Sequence, residues 1–308
     1  MLTSFFSKSK PINFLAVAFF MAIFYLLANA QAMFSSFSFY TIASRVGVLI
    51  LFIISISVLN FIAKKNELTK RSAYKIIIFA VFAVSFPEIL RNGPVIVANL
   101  CILLALRRII SLRSQKDIQK KIFDATFWIC IASLFYFWSI LFLIIVYTGI
   151  LLHVGSYFKN WLVPPISFFA VLALVTSFDI IVYGNYYTFY DWFQPSNFDF
   201  KHYNDAEILI PLSVILALMI WTIFYYFGLL QKASINSRPT YILVLITLVL
   251  SVGVALFSPV KDGSEFLFFF VPLSIIASNY FEGKGEKLFK EILLIGLVLM
   301  PILIPILF

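Results

Sequence analysis

The sequence predicts an all-α protein, a bundle of about eleven transmembrane helices (10–12) with a cytoplasmic N-terminus. Of its 308 residues, 62% are hydrophobic and only 12% are charged, and the mean hydropathy is +1.02. Soluble domains carry about 25% charged residues. Long apolar runs recur along the chain, and no polar stretch is long enough to form a soluble domain. We therefore expect a single integral membrane domain, residues 1–308.

A helix that crosses the membrane needs about 20 apolar residues, and about 17 is the lower limit outside a protected bundle. Eleven segments of the chain meet or approach that length. They are residues 13–32, 42–63, 74–90, 94–110, 122–136, 138–156, 161–184, 208–228, 240–258, 265–281 and 292–308.

The first of these segments resembles a secretory signal, because Lys8 and Lys10 precede an apolar stretch that ends in "ANA" at residues 28–30. Cleavage after Ala30 is one interpretation. An uncleaved first span is favoured, since ten further spans follow it.

The basic residues support this count of crossings. With the N-terminus inside, 19 of the 23 Lys and Arg residues fall on the inner side, as the positive-inside rule requires. The exceptions are Arg45, Arg91, Lys201 and Lys261. The short spans of residues 74–110 and 122–156 are kept as two hairpins, because merging either pair moves basic residues outward. Their shortness predicts helices that pack against protein rather than lipid. The basic excess thus indicates topology and contact with anionic membrane lipids, and it argues against a nucleic-acid partner.

One outer hairpin carries an unusual pair of charges in "SFPEILRNGP", residues 85–94. Pro87 suits the first position of a helical turn, and Gly93 with Pro94 ends that turn. Glu88 and Arg91 are three residues apart, so their side chains can face each other. From residue 76 to residue 106, they are the only charged side chains.

Other ionisable residues gather at the same predicted face and complete the candidate site. They are Arg45, Asp179, Lys261, Asp262 and Glu265. Ionisable groups at or below the membrane surface are costly, so each is a candidate functional residue. Together they offer basic groups for a phosphate and carboxylates for acid–base work. A purely structural role stays open for each of these residues. Glu88 and Arg91 would then neutralise each other at the interface, and Arg45 would extend its charged group to the membrane surface. The sequence "KDG", residues 261–263, would be an ordinary turn.

The long outer loop, residues 185–207, is rich in aromatic residues with Asp and Asn beside them. That composition suits sugar or lipid-headgroup binding, but an aromatic belt at the membrane interface is the favoured interpretation.

Several chemistries lack support in the sequence. His153 and His202 fall on opposite sides of the membrane, so no histidine metal centre is expected, and we predict neither a metal nor another cofactor. The sequence has no phosphate-binding loop, no nucleophile elbow and no zinc-protease motif. Cys101 and Cys130 lie inside apolar runs and are interpreted as core residues.

Two resemblances add to this interpretation. The stretch "FDATFWICIASLFYFWSILFLIIVYTGILLHVGSYFKNWLVPP", residues 123–165, with "LLALRRIISL" before it, resembles an uncharacterised family of polytopic inner-membrane proteins from Bacteroidota. That resemblance implies a multi-pass protein of the bacterial inner (cytoplasmic) membrane. Because the family carries no established activity, the resemblance indicates topology and not a particular function. The basic inner loop, the short helix, the aromatic break at residues 135–139 and the long apolar return helix also resemble the central part of GT-C glycosyltransferases.

The GT-C resemblance implies an outward-facing site for a polyprenyl-phosphate sugar. Glu88 would then be the acid–base residue. Arg91, Arg45 and Lys261 would contact the carrier phosphate, with Asp179, Asp262 and Glu265 as further substrate contacts. The sequence departs from the pattern in its first outer loop, because residues 33–44 contain no acid.

Two other functions remain as alternatives. A non-enzymatic component or scaffold of an envelope assembly would leave Glu88 and Arg91 paired at the surface. A transporter would need a cavity that reaches the membrane midplane. The lipid-sugar hypothesis instead expects an outward cavity that joins Glu88, Arg91 and Lys261.

Overall fold

The chain is helical throughout the part that the structure describes. This structure, a computed structural model, describes residues 2–35 and 39–307, so the expected first outer loop falls partly outside the described residues. Within them, fourteen α-helices occur together with four short 3-10 helices and no strand. The α-helices are α1 Leu2–Phe6, α2 Pro11–Ser35, α3 Phe39–Lys65, α4 Tyr74–Val84, α5 Pro87–Arg91, α6 Gly93–Ile110, α7 Ile118–Phe135, α8 Leu143–Val154, α9 Phe158–Tyr183, α10 Phe189–Trp192, α11 Ala206–Lys232, α12 Arg238–Phe257, α13 Leu267–Phe281 and α14 Lys287–Leu307.

Nine helical segments among the described residues are long and apolar enough to cross a membrane. They are Pro11–Met33, Phe39–Lys65, Gly93–Ser114, Phe137–Val154, Phe158–Tyr183, Ala206–Lys232, Arg238–Phe257, Ser264–Phe281 and Lys287–Leu307. The prediction of an all-α, polytopic transmembrane bundle is confirmed, and nine agrees roughly with about eleven.

The two remaining predicted spans are helices that fall short for identifiable reasons. Helix α4 has only 11 residues, because Pro87 disfavours helical geometry at Phe86, whose backbone is extended. Helix α7 has 18 residues but carries Lys120, Lys121 and Asp124 in its first half.

The helices divide into two compact units. Unit 1 consists of Met1–Ile96, Asp199–Ala233 and Lys261–Phe308, and unit 2 of Val97–Phe198 and Ser234–Val260. The expectation of one membrane domain over residues 1–308 stays a prediction.

Unit 1 is built around two short apolar helices, α4 with 11 residues and α13 with 15. Every residue of α4 and of α13 is buried, and the two helices pack against each other. The rings of Phe82 and Phe270 lie 5.5 Å apart in this contact. Helices α2, α3 and α14 pack around α4, and α11 packs against α13. A short helix is tolerated at this place because protein surrounds it, as the sequence predicted.

In unit 2, α7 packs against α9, and α8 packs against α7, α9 and α12. Helix α7 ends at Phe135, where Tyr136 is extended, and a 3-10 helix, Phe137–Phe142, leads into α8. The Tyr136 hydroxyl donates a hydrogen bond of 2.7 Å to Ser258 Oγ, which holds the break. The predicted aromatic interruption is therefore present.

Polar contacts within unit 1 separate into two groups that match the predicted sides. At one end, Glu282 accepts hydrogen bonds from the Lys70 amide and the Ser72 hydroxyl, all on the predicted inner side. At the other, Arg45 donates to the Arg91 carbonyl, both on the predicted outer side. The two groups thus lie at opposite ends of α4.

Candidate functional site

The hairpin that the sequence predicts on the outer side is a single helical turn, α5, between α4 and α6. Pro87 occupies the first turn of α5, as expected, and Asn92 ends it. Arg91 Nη1 donates to Glu88 Oε1 at 2.5 Å, and their side chains are 54% and 38% exposed. The i, i+3 pairing predicted from the sequence is therefore present.

Neighbouring helices hold this turn through two of its carbonyl groups and through the Arg91 side chain. Arg45 Nη1 donates to the Arg91 carbonyl at 2.9 Å, and Arg91 Nε donates to the Ala28 carbonyl at 3.4 Å. The buried Asn29 amide donates to the Leu90 carbonyl at 3.0 Å. Three of the predicted site residues, Arg45, Glu88 and Arg91, thus lie together.

A second segment of unit 1, residues 261–266, packs against the same turn. Asn92 Nδ2 donates to Ser264 Oγ at 3.2 Å, and Asp262 accepts from the Ser264 amide at 2.9 Å. Gly263 has φ +89°, and a Cβ there would lie 3.2 Å from the Phe86 ring. Glycine is therefore favoured at this position, and Asp262 stabilises the turn that the sequence suggested.

Lys261 and Glu265 of this segment point into protein. Lys261 is 4% exposed, and its Nζ lies 5.0 Å above the Phe200 ring centroid. Burial lowers the pKa of Lys261, and the nearby Glu265 carboxylate acts in the opposite direction. Glu265 is fully buried and accepts a hydrogen bond from the Tyr203 hydroxyl through Oε1. Its Oε2 has no hydrogen-bond partner among the described residues.

A cavity of about 560 Å³ lies beside the Arg91 side chain, within unit 1. Its walls come from α2, the end of α4 with α5, the first turn of α11 and the last turns of α14. Leu27, Leu90 and Ile302 represent the largely apolar lining, and Arg91 and Glu207 are its charged members. Because Leu27 and Ile302 are also exposed, the cavity opens to the exterior.

The predicted site residues are therefore brought together only in part. Arg91 lines the cavity, whereas Glu88, Arg45 and Lys261 are not among the lining residues in the described part of the chain. Asp179 belongs to unit 2, where it is half-buried in the last turns of α9.

The first part of the aromatic loop, residues 185–198, is tied into unit 2 by its own contacts. Trp192 Nε1 donates to the Ser133 carbonyl at 3.1 Å, and Trp138 Nε1 donates to the Gln194 carbonyl at 3.0 Å. Asp191 forms a capping box with Thr188 at the start of α10, and those hydrogen bonds lower the pKa of Asp191. Trp192 and Asp191, which the composition of the loop offered as possible ligand contacts, therefore stabilise the conformation of the loop.

Glu207 is the charged residue of the cavity that the sequence analysis did not include in the candidate site. It lies in the first turn of α11, at the end of the aromatic loop. The available signal was a carboxylate beside an aromatic segment at the outer start of a span. That signal is weak, because acidic residues are common in the first turn of any helix.

Nothing in the described residues resembles a metal centre, since no three His, Cys, Asp or Glu side chains converge as ligands. Cys101 and Cys130 are both free and buried.

Buried short helices inside a bundle of long apolar ones define a polytopic membrane protein. The chain belongs to the family described as "Family of unknown function (DUF6427)", whose sequence model matches residues 1–306. The resemblance to an uncharacterised family of membrane proteins is thus confirmed, while the GT-C resemblance stays a prediction. No curated protein and no solved structure matches the chain.

Proposed function

We propose that this protein binds a polyprenyl-phosphate sugar at the outer face of the bacterial inner membrane. The observation that carries the proposal is the cavity of about 560 Å³ with largely apolar walls and the Arg91 guanidinium at its side. Binding pockets for small molecules have volumes of about 300–1,000 Å³ and combine apolar walls with few polar groups. An amphipathic ligand with one phosphate matches both features.

Arg91 is suited to a phosphate because a guanidinium can donate two parallel hydrogen bonds to it. Its position is fixed by its pairing with Glu88 and by the contact of Arg45 with its carbonyl. Arg45 would therefore support the phosphate contact through the backbone of Arg91.

The apolar walls suit the hydrocarbon part of the ligand. Leu27 on α2 and Ile302 on α14 both line the cavity and are exposed. A lipid chain can enter between such residues from the bilayer without crossing a polar barrier. We expect the cavity to open sideways into the membrane.

As a GT-C-like transferase, the protein would use Glu88 as its acid–base residue. The Glu88 carboxylate would take the proton of the acceptor hydroxyl as that oxygen bonds to the sugar carbon. The bond from this carbon to the phosphate oxygen would break, and polyprenyl phosphate would leave. Glu88 contacts Arg91, so phosphate binding to Arg91 would release its carboxylate for this role.

A scaffold is the second candidate, because Glu88 and Arg91 are paired at an exposed hairpin. In that case the pair only neutralises itself, and a protein partner binds the outer face.

A binding experiment separates the two candidates. Purified full-length protein in detergent would be titrated with a polyprenyl-phosphate sugar, beside the Arg91→Ala, Glu88→Gln and Arg113→Ala variants. We expect Arg91→Ala to weaken binding at least about tenfold, because a charged hydrogen bond contributes roughly 1.5–3 kcal/mol. Glu88→Gln should bind but not transfer the sugar, and the exposed Arg113→Ala should behave as wild type. Absence of binding by the wild-type protein would favour the scaffold.

A further inference from the structure

The cavity is lined by one guanidinium and one carboxylate, and these two charges bear on the kind of headgroup that fits. Arg91 and Glu207 line the same cavity, from the hairpin turn α5 and the first turn of α11. Neither lining group alone decides the ligand, but their opposite charges restrict it.

A bare phosphate monoester carries a charge of about −1.5 to −2 at neutral pH, since its second pKa is about 6. A carboxylate in the same cavity disfavours this charge. A phosphodiester carries a single charge, and a group attached to it can donate hydrogen bonds. Such donors are what a carboxylate accepts, because an ionised carboxylate has no proton to give.

The wall formed by α14 adds a further acceptor. Pro301 and Pro305 line the cavity and lie four residues apart on the helix. Because Pro305 has no N–H, the carbonyl group of Pro301 loses its ordinary helix donor. That carbonyl group, like Glu207, can accept hydrogen bonds but cannot donate them.

We infer that Glu207 makes the cavity selective for a phosphodiester lipid whose headgroup carries hydroxyl or amine donors, over a lipid that ends in a bare phosphate. This inference rests on the proposed function, since it requires that Arg91 receives the lipid phosphate. Glu207 recognises the headgroup beyond the phosphate, and Arg91 recognises the phosphate itself.

The test compares two probes that share one hydrocarbon chain. Full-length protein in nanodiscs would be titrated with polyprenyl phosphate and with the same polyprenyl phosphate carrying a hexose. Three proteins would be used: wild type, Glu207→Gln and Asp205→Asn. Asp205 is a matched control two residues away, because its carboxylate pairs with His202 at 2.8 Å.

We expect wild type and Asp205→Asn to bind the hexose form more tightly than the bare phosphate. Glu207→Gln should lower the ratio of the two dissociation constants by about tenfold. The variant should bind the bare phosphate more tightly and the hexose form more weakly than wild type does.

Three outcomes would overturn the inference, and they differ in what they say of the proposed function. If wild type binds neither probe, the proposed function fails and the inference fails with it. If wild type binds both but Glu207→Gln leaves the preference unchanged, lipid-phosphate binding stands and the role of Glu207 is wrong. If Glu207→Gln weakens both probes equally, Glu207 supports the cavity wall and does not select the headgroup.

Discussion

Glu88 and Arg91 form an ion pair beside the cavity, so the two charges can serve ligand binding or the stability of the hairpin. Their ion pair is short, but both side chains are more than one-third exposed. Exposed ion pairs contribute only about 0.2–1 kcal/mol to the free energy of unfolding, because water screens them and side-chain ordering opposes them. Stability alone is thus a weak reason for the two charges.

A double-mutant cycle tests this point. We expect Glu88→Gln, Arg91→Gln and the double variant to give a coupling free energy below about 1 kcal/mol. The measurement is the free energy of unfolding of the purified protein in detergent. A coupling of several kcal/mol would instead identify the pair as a structural clamp and favour the scaffold.

The buried carboxyl group of Glu265 predicts a larger effect at a neighbouring residue. Tyr203→Phe removes the hydroxyl that donates to Glu265 and leaves a buried polar group without that donor. We expect the variant to lose about 1–3 kcal/mol of unfolding free energy. Tyr190→Phe is the control, because Tyr190 is 89% exposed. Equal stability of the two variants would contradict the contact.

At the scale of the elements, the short helices α4 and α13 are the core of unit 1. The eleven residues of α4 extend only about 16 Å, whereas the hydrocarbon layer is about 30 Å thick. Such a helix is sheltered because other helices pack around it. Its ends are held by the Glu282 contacts at one side and by α5 at the other.

Phe270 provides the test of this core. Its ring is fully buried on α13, 5.5 Å from the rings of both Phe82 and Phe86. We expect Phe270→Ala to lower the free energy of unfolding by about 3–5 kcal/mol, because it leaves a cavity in close-packed protein. Phe224→Ala, at an exposed position of α11, should cost far less. Similar losses in both variants would mean that α13 is not the core.

The sequence predicted the positions of most helices but not the contacts between them. Apolar length and basic residues located the helices, and Pro87 located the turn at Glu88 and Arg91. Composition could not separate α4 from a true span, because its shortness is compensated by contacts with helices far along the chain. Glu207 was missed for the same reason, since α2, α5, α11 and α14 meet only after folding.

For the whole molecule, the sidedness of the chain is the property on which the outer site depends. We expect a cysteine at Lys116 to react with an impermeant thiol reagent only after the cells are opened. A cysteine at Tyr190 should react in intact cells. Native Cys101 and Cys130 are buried and would be replaced by alanine. The opposite pattern would place the Arg91 cavity on the cytoplasmic side and contradict the assignment of the outer face.

We propose above that a lipid phosphate occupies the cavity beside Arg91. Photocrosslinking with a polyprenyl phosphate that carries a photoreactive group in its chain tests it most directly. We expect the crosslinks to map to Leu27 on α2 and Ile302 on α14, and to fall sharply in Arg91→Ala. Crosslinks spread over lipid-exposed residues such as Ile181, and unchanged in Arg91→Ala, would show that the probe marks the bilayer and not a site.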